Sequence, residues 1–289
     1  MPIRVTWKVL LGFLSEAEGT EYITRQGVQL SEAELKDVQD KAKSARDFVK
    51  KLTQRGSIKP EVAEVPPTAE EHLSALRAEP LFQEHLTGIS DWQFAMIEVD
   101  KLISYQTSLN MEFIEDLKKR VPQPSDPDTL LRFCLPSRKE QILEPVLVNF
   151  NPQTNTYSVI TDNLDFRIVG NVNGEDPITG RKFVGFGFGG GLRQMSVAEH
   201  KGRYFLKNGY HRAFALALAG HKRIPVILVH APTYELTGAN RPGFFPVDTL
   251  MGNKPPMVGD FGSKAAVDVV RLKLKLIVTV HGEVQAIPV

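Results

Sequence analysis

Apolar positions recur at helical spacing in SEAELKDVQDKAKSARDFVKKL, where Leu35, Val38, Ala42 and Phe48 form one stripe. Ser31 followed by Glu34 is a capping-box pair, so the spacing predicts a helix opening there. Pro60, Pro66 and Pro67 interrupt the pattern, and Thr68 is placed to cap a second helix from about Ala69 to Arg77, with more helix near Phe82. A short apolar run predicts a strand at Val5 to Phe13. Residues 1–92 are therefore expected to be a mostly helical N-terminal region.

The period changes at FAMIEVDKLISYQ, whose alternation predicts a strand, and NMEFIEDLKKRV follows as a helix capped by Asn110. The runs VLVNF and TYSVIT flank Asn151, Pro152 and Asn155, the signature of a hairpin. YFLKNG, YHRAFALALAG and RIPVILVHA then read as strand, helix and strand, a βαβ-like unit that places residues 93–231 in the α/β class. Residues 232–289 form a C-terminal loop and strand extension. It ends in RLKLKLIVTV, where Leu272, Leu274 and Leu276 alternate with Lys273 and Lys275 as in one half-exposed strand.

Composition narrows the class of partner. The 289 residues are 42% hydrophobic and 24% charged, which suits a globular chain with a sizeable core. Lys and Arg number 35 against 34 Asp and Glu, and this balance argues against nucleic acid as a partner of the whole chain. The single cysteine, Cys134, excludes an intramolecular disulfide framework and a cysteine-rich zinc site. The N-terminal apolar run is too short for a signal peptide or a membrane span, so a cytoplasmic location and no membrane partner are expected.

The strongest chemical signal is KNGYHRAFALALAG. A helix that opens just after Asn208-Gly209 presents unpaired backbone N–H groups and the positive end of its dipole. Gly209 permits close backbone approach, Arg212 has the donors for a bidentate bond to phosphate, and His211 adds a donor or a proton-transfer group. Together they describe a phosphate cradle. A capped helix packed on a sheet, with His211 and Arg212 in structural hydrogen bonds, fits the same residues.

The segment YFLKNGYHRAFALALAGHKRIPVILV resembles the second conserved box of the ParB/sulfiredoxin superfamily: a strand, a Gly-x-(His/Arg)-Arg turn, an alanine-rich helix, a glycine and a Pro-Val strand. IEVDKLISYQTSLNMEFIEDLKK resembles that family's first box, and EPVLVNFN resembles the strand pair linking the two. The resemblance spans residues 94 to 231. It implies a ParB/sulfiredoxin-like mixed-sheet domain that binds nucleotide phosphates through Asn208, Gly209, His211 and Arg212, with His211 as the catalytic group. Gln106, Lys207 and Tyr210 are the implied substrate or nucleotide contacts. ATP or CTP is the implied cofactor, with magnesium.

Departures from the family set limits. Tyr210 stands where sulfiredoxins have their cysteine, and Cys134 lies outside that turn in RFCLP. Gly-Tyr-His-Arg replaces the Gly-Glu-Arg-Arg of partition proteins, and no helix-turn-helix or basic DNA-binding region follows. Gln106 sits where the first box would reach the site, with no counterpart to the glutamate of the related serine kinases.

Other motifs are weaker. Gly185-x-Gly187-x-x-Gly190 has the spacing of a dinucleotide fingerprint but lacks the long helix that gives it meaning. A strand ending in a flap over the neighbouring turn, or an irregular connection, accounts for it. Asp162 and Asp165 are possible magnesium ligands and equally ordinary turn residues. The sequence thus supports a nucleotide-binding phosphotransferase or nucleotide hydrolase, or alternatively a non-catalytic interaction protein whose N- or C-terminal regions carry a protein partner. A nucleic-acid-processing protein is the third reading.

Overall fold

The computed structural model describes residues 2–25, 30–140, 146–163, 166–189, 193–283 and 285, without the side chain of residue 85. In chain order the elements are β1 (Arg4–Val9), α1 (Glu16–Thr24), α2 (Glu32–Lys51), β2 (Val62–Ala63), α3 (Glu70–Arg77), α4 (Pro80–Leu86), β3 (Trp92–Glu98), β4 (Ile103–Ser104), β5 (Ser108–Asn110), α5 (Met111–Lys118) and α6 (Pro127–Cys134). They continue with β6 (Leu147–Asn151), β7 (Thr156–Thr161), β8 (Arg167–Glu175), β9 (Lys182–Gly189), β10 (Ser196–His200), β11 (Arg203–Asn208), α7 (Tyr210–Leu218) and β12 (Arg223–His230). Two single-turn helices, α8 (Tyr234–Thr237) and α9 (Val247–Leu250), lead to β13 (Val267–Leu272) and β14 (Leu276–His281). The chain is mixed α/β. Among the described residues no helix is long and apolar enough to cross a membrane.

Two compact units divide the chain. One holds residues 1–141 and 193–273, the other residues 142–192 and 274–289. The first contains a six-stranded sheet in the order β2-β3-β12-β10-β11-β4 and a three-stranded sheet β13-β1-β5. Phe94, Ile97, Val197, Phe205, Ile224 and Val226 are among the buried residues that make the larger sheet the centre of this unit. The second unit contains the sheet β14-β7-β6 and the ribbon β8-β9.

Local signals account for most elements. Ser31 and Glu34 form the expected reciprocal cap on α2, whose buried face is Val38, Ala42 and Ala45. Asn110 caps α5 through a bond from Glu112 N. β6 and β7 pair as the predicted hairpin, with Asn155 at φ 47 in its turn. The alanine-rich α7 ends where Gly220 takes φ 88: His221 N bonds Leu216 O and Gly220 N bonds Ala217 O, the two bonds of a Schellman motif.

Several features differ from the sequence expectation. Thr68 does not cap the second helix but lies inside a 3-10 turn, Pro67–Ala69, and α3 opens at Ala69 without a side-chain cap. The strand expected at Val5 to Phe13 ends at Val9, before a 3-10 turn at Leu11–Phe13. β11 and β12 are not the adjacent parallel strands of a βαβ unit, because β10 lies between them, parallel to β12 and antiparallel to β11. A tight turn at Lys201 (φ 51) and Gly202 (φ 75) folds β10 directly onto β11 and fills that place. RLKLKLIVTV is two strands, since β13 pairs with β1 and β14 with β7. Residues 273–275 carry the chain from one unit to the other, and their lysines meet separate carboxylates, Lys273 to Glu112 and Lys275 to Asp162. Gly185 and Gly187 sit inside β9, paired with β8, and Gly190 lies outside the described residues, as does the expected flap that follows it.

Candidate functional site

The β11–α7 junction is built in three steps. β4 runs parallel to β11, with Ile103 opposite Phe205 and Ser104 opposite Leu206. That pairing carries Tyr105 and Gln106 to the start of α7, where the Tyr105 and Tyr210 rings lie 5.6 Å apart. The Tyr105 hydroxyl donates to Lys207 O at 2.9 Å, and the Tyr210 hydroxyl donates to Leu206 O. Burial raises both phenols, so both keep their protons and act as donors.

Gly209 is the N-cap of α7 at φ 94 and ψ 27. A β-carbon there would stand 2.7 Å from the Met195 side chain as well as in a left-handed backbone, so two independent constraints select glycine. No side chain caps the helix. The N–H groups of Tyr210, His211 and Arg212 have no backbone acceptor among the described residues, as expected for a first turn. Asn208 serves the framework: its amide donates to Gln194 O and its side-chain oxygen accepts from Gly209 N, each at 2.9 Å.

The cationic side chains are used differently from the cradle that sequence suggests. The Arg212 guanidinium turns to the C-terminal end of α6, where it donates to Phe133 O at 3.0 Å, to Cys134 O at 3.3 Å and to Arg193 O. Helix-terminal carbonyls carry partial negative charge, which explains their choice of a guanidinium. Burial draws Arg212 down to about 10, still well above neutral pH. His211 Nε2 lies 3.0 Å from Asn110 N, and since that amide can only donate, the ring is a neutral acceptor. Burial holds His211 down at about 4. The bond ties the first turn of α7 to the cap of α5, and Phe113 of α5 packs edge-on against the ring at 5.2 Å.

Lys207 and Arg241 supply the available charge. Lys207 is half-buried, and burial first, then the positive charge of Arg241, lowers its pKa. Its Cε and the Tyr105 hydroxyl both lie against Gly238, at 3.6 and 3.9 Å from where a β-carbon would stand. Neither cation forms an ion pair with a described residue. The 238–246 segment that brings Arg241 is fixed by Phe245 N bonding Tyr105 O, a bridge between Gln106 and Phe244, and contact of the Tyr105 and Phe244 rings at 4.5 Å. Gln106 Oε1 is buried there with no hydrogen-bond partner among the described residues.

Tertiary structure thus gathers Gln106, Lys207, Asn208, Gly209, Tyr210 and His211 at one junction, and gives Arg212 to the α6 terminus. Asp162 belongs to the second unit and pairs with Lys275 at 3.5 Å, while Asp165 lies outside the described residues. Among the described residues no group of three or more His, Cys, Asp or Glu is placed to hold a metal ion. Arg241 and Tyr105 are the residues that sequence reasoning missed. Arg241 sits in a loop-rich stretch with no periodicity, and only its proximity to Lys207 marks it.

No family model matches the chain, and no curated protein or solved structure matches it.

Proposed function

We propose that the chain binds the phosphate groups of a nucleotide at the β11–α7 junction, as the ParB/sulfiredoxin-like reading of residues 94–231 implies. The observation that carries the proposal is the pairing of an uncapped helix N-terminus with two neighbouring cations that no carboxylate balances among the described residues. Backbone N–H groups of residues 210–212 act as the phosphate donors, and Lys207 and Arg241 contribute the charge. Gln106 Oε1, an acceptor without a partner among the described residues, is suited to a donor on the sugar or base.

Arg212 and His211 position this site rather than react in it. His211 Nε2 is committed to Asn110 N, so proton transfer through that nitrogen requires breaking a bond that ties two helices together. This favours nucleotide binding without turnover, in a protein that passes the bound state to a partner, over a phosphotransferase or hydrolase.

Melting curves with ATP, CTP, GTP and their diphosphates, with and without magnesium, test the proposal on wild type, Lys207→Met and Arg241→Ala. A ligand at ~100 times its dissociation constant stabilises the folded state by about 2.7 kcal/mol. For a chain of this size that raises Tm by roughly 5–11 °C. The shift is expected for at least one nucleotide and is reduced in both variants. Its absence with all of them, from folded wild type, refutes the proposal, and hydrolysis of the bound nucleotide by wild type restores the enzymatic reading.

A further inference from the structure

The second unit has an open, uncharged strand edge. Among the described residues β6 is hydrogen-bonded on one side only, to β7. All five of its residues, Leu147–Asn151, are exposed, and none is charged. Edge strands are ordinarily guarded by lysine, proline or a bulge, because unpaired N–H and C=O groups template pairing with another chain. β14, the other edge of this sheet, is bracketed by Lys275 and His281. β6 is flanked by Pro145 and Pro152 but carries no lysine, proline or other charge within Leu147–Asn151.

The unit is also short of core. Val159 is the only buried apolar residue among those described in it, while Val148, Phe150 and Tyr157 are exposed. These four side chains share one face, since Val148 is opposite Val159 and Phe150 opposite Tyr157, with the last two rings 4.4 Å apart.

We propose that β6 pairs antiparallel with β6 of a second copy of this chain, about a two-fold axis at Asn149, so that two three-stranded sheets become one of six. The axis fixes the register. Val148 then lies opposite Phe150 of the second copy, and Phe150 opposite its Val148, an aromatic–β-branched pair made twice. Leu147 meets Asn151, and Asn149 meets itself. The edge has no charge with which to select a heterologous strand, and the net charge of +1 opposes approach of two copies very little.

Light scattering after size exclusion across a concentration series, on the full chain, measures the association. Wild type is expected as a dimer. Val148→Lys, which removes both aromatic–β-branched pairs and puts on each edge the lysine that ordinarily guards against strand pairing, is expected to raise the dissociation constant roughly tenfold or more. The site is exposed, so an unchanged melting profile shows that the variant folds. Asn149→Cys supplies a second test that needs no loss of stability. At the axis its α-carbons are about 4.5–5.5 Å apart, within disulfide reach, so mild oxidation should lock a covalent dimer. Cys134 does not interfere, being fully buried with its thiol pushed up to about 12. Ser158→Cys, on the inner strand opposite Asn149, should stay uncrosslinked. A chain that remains monomeric throughout, or a dimer that Val148→Lys leaves intact, overturns the pairing. Failure of Asn149→Cys to lock a dimer that Val148→Lys does break overturns the register.

Discussion

Arg212 is the residue for which family resemblance and geometry give opposite forecasts. As a phosphate ligand, it could be replaced by alanine with little loss of stability and complete loss of binding. As an anchor, its removal strips charge-assisted donors from Phe133 O, Cys134 O and Arg193 O, three carbonyls at the end of α6 and the approach to β10. Bonds of this type contribute about 1.5–3 kcal/mol each, and desolvation of the guanidinium offsets part of the sum. A net loss of about 3 kcal/mol for Arg212→Ala is therefore expected, in the range of broken buried networks. At roughly 2–4 °C per kcal/mol, Tm falls by about 6–12 °C. Arg212→Lys keeps a charge but only a point donor, and should recover less than half of the loss. Urea and thermal melts without ligand read the effect directly. An Arg212→Ala protein that melts within about 2 °C of wild type yet loses all response to nucleotides would refute the anchoring role and return Arg212 to the cradle.

Two further perturbations test the framework. His211 is held at about 4, below its ordinary value of 6.5, so between those limits the unfolded chain binds a proton that the folded chain does not. Stability is fully present above pH 6.5 and is lost as pH falls towards 4. His211→Gln, which keeps an acceptor for Asn110 N, should flatten that slope in urea titrations at stepped pH, and an unchanged slope would remove His211 as its source. Asp260 takes both arms of the Arg55 guanidinium and also accepts from Met257 N at 2.7 Å, with both side chains largely buried. Asp260→Ala strands the Arg55 charge and should cost about 3–5 kcal/mol by chemical denaturation, whereas Arg55→Met with Asp260→Leu should recover most of it. Equal losses in the single and double variants would show that the pair is not a closed unit.

The amino-acid sequence by itself determined the local elements. Ser31 with Glu34, Asn110 and the glycine after the alanine-rich helix set boundaries through hydrogen bonds within a few residues, and VLVNF with TYSVIT fixed its hairpin by alternation and turn residues. Such signals need no distant partner. The glycine-led start of α7 was legible for the same reason. Tertiary structure alone decided what its side chains do. Arg212 has enough reach to serve either a ligand or a carbonyl cluster some eighty residues away in sequence, and only the packing of α6 on β12, which leaves its C-terminal carbonyls within reach of Arg212, selects the second. His211 becomes a neutral acceptor because α5 delivers a backbone N–H to it, and Lys207 meets Arg241 because the 238–246 segment is fastened to Tyr105 and Gln106. The insertion of β10 between β11 and β12 likewise follows from a Lys-Gly turn without the usual Asn-Gly signature, and the break after Leu272 from two strands finding partners in different units. Capping and periodicity act over a few residues and are written in order along the chain. Charge, burial and strand neighbours depend on residues far apart in sequence, and are set only when the chain has closed on itself.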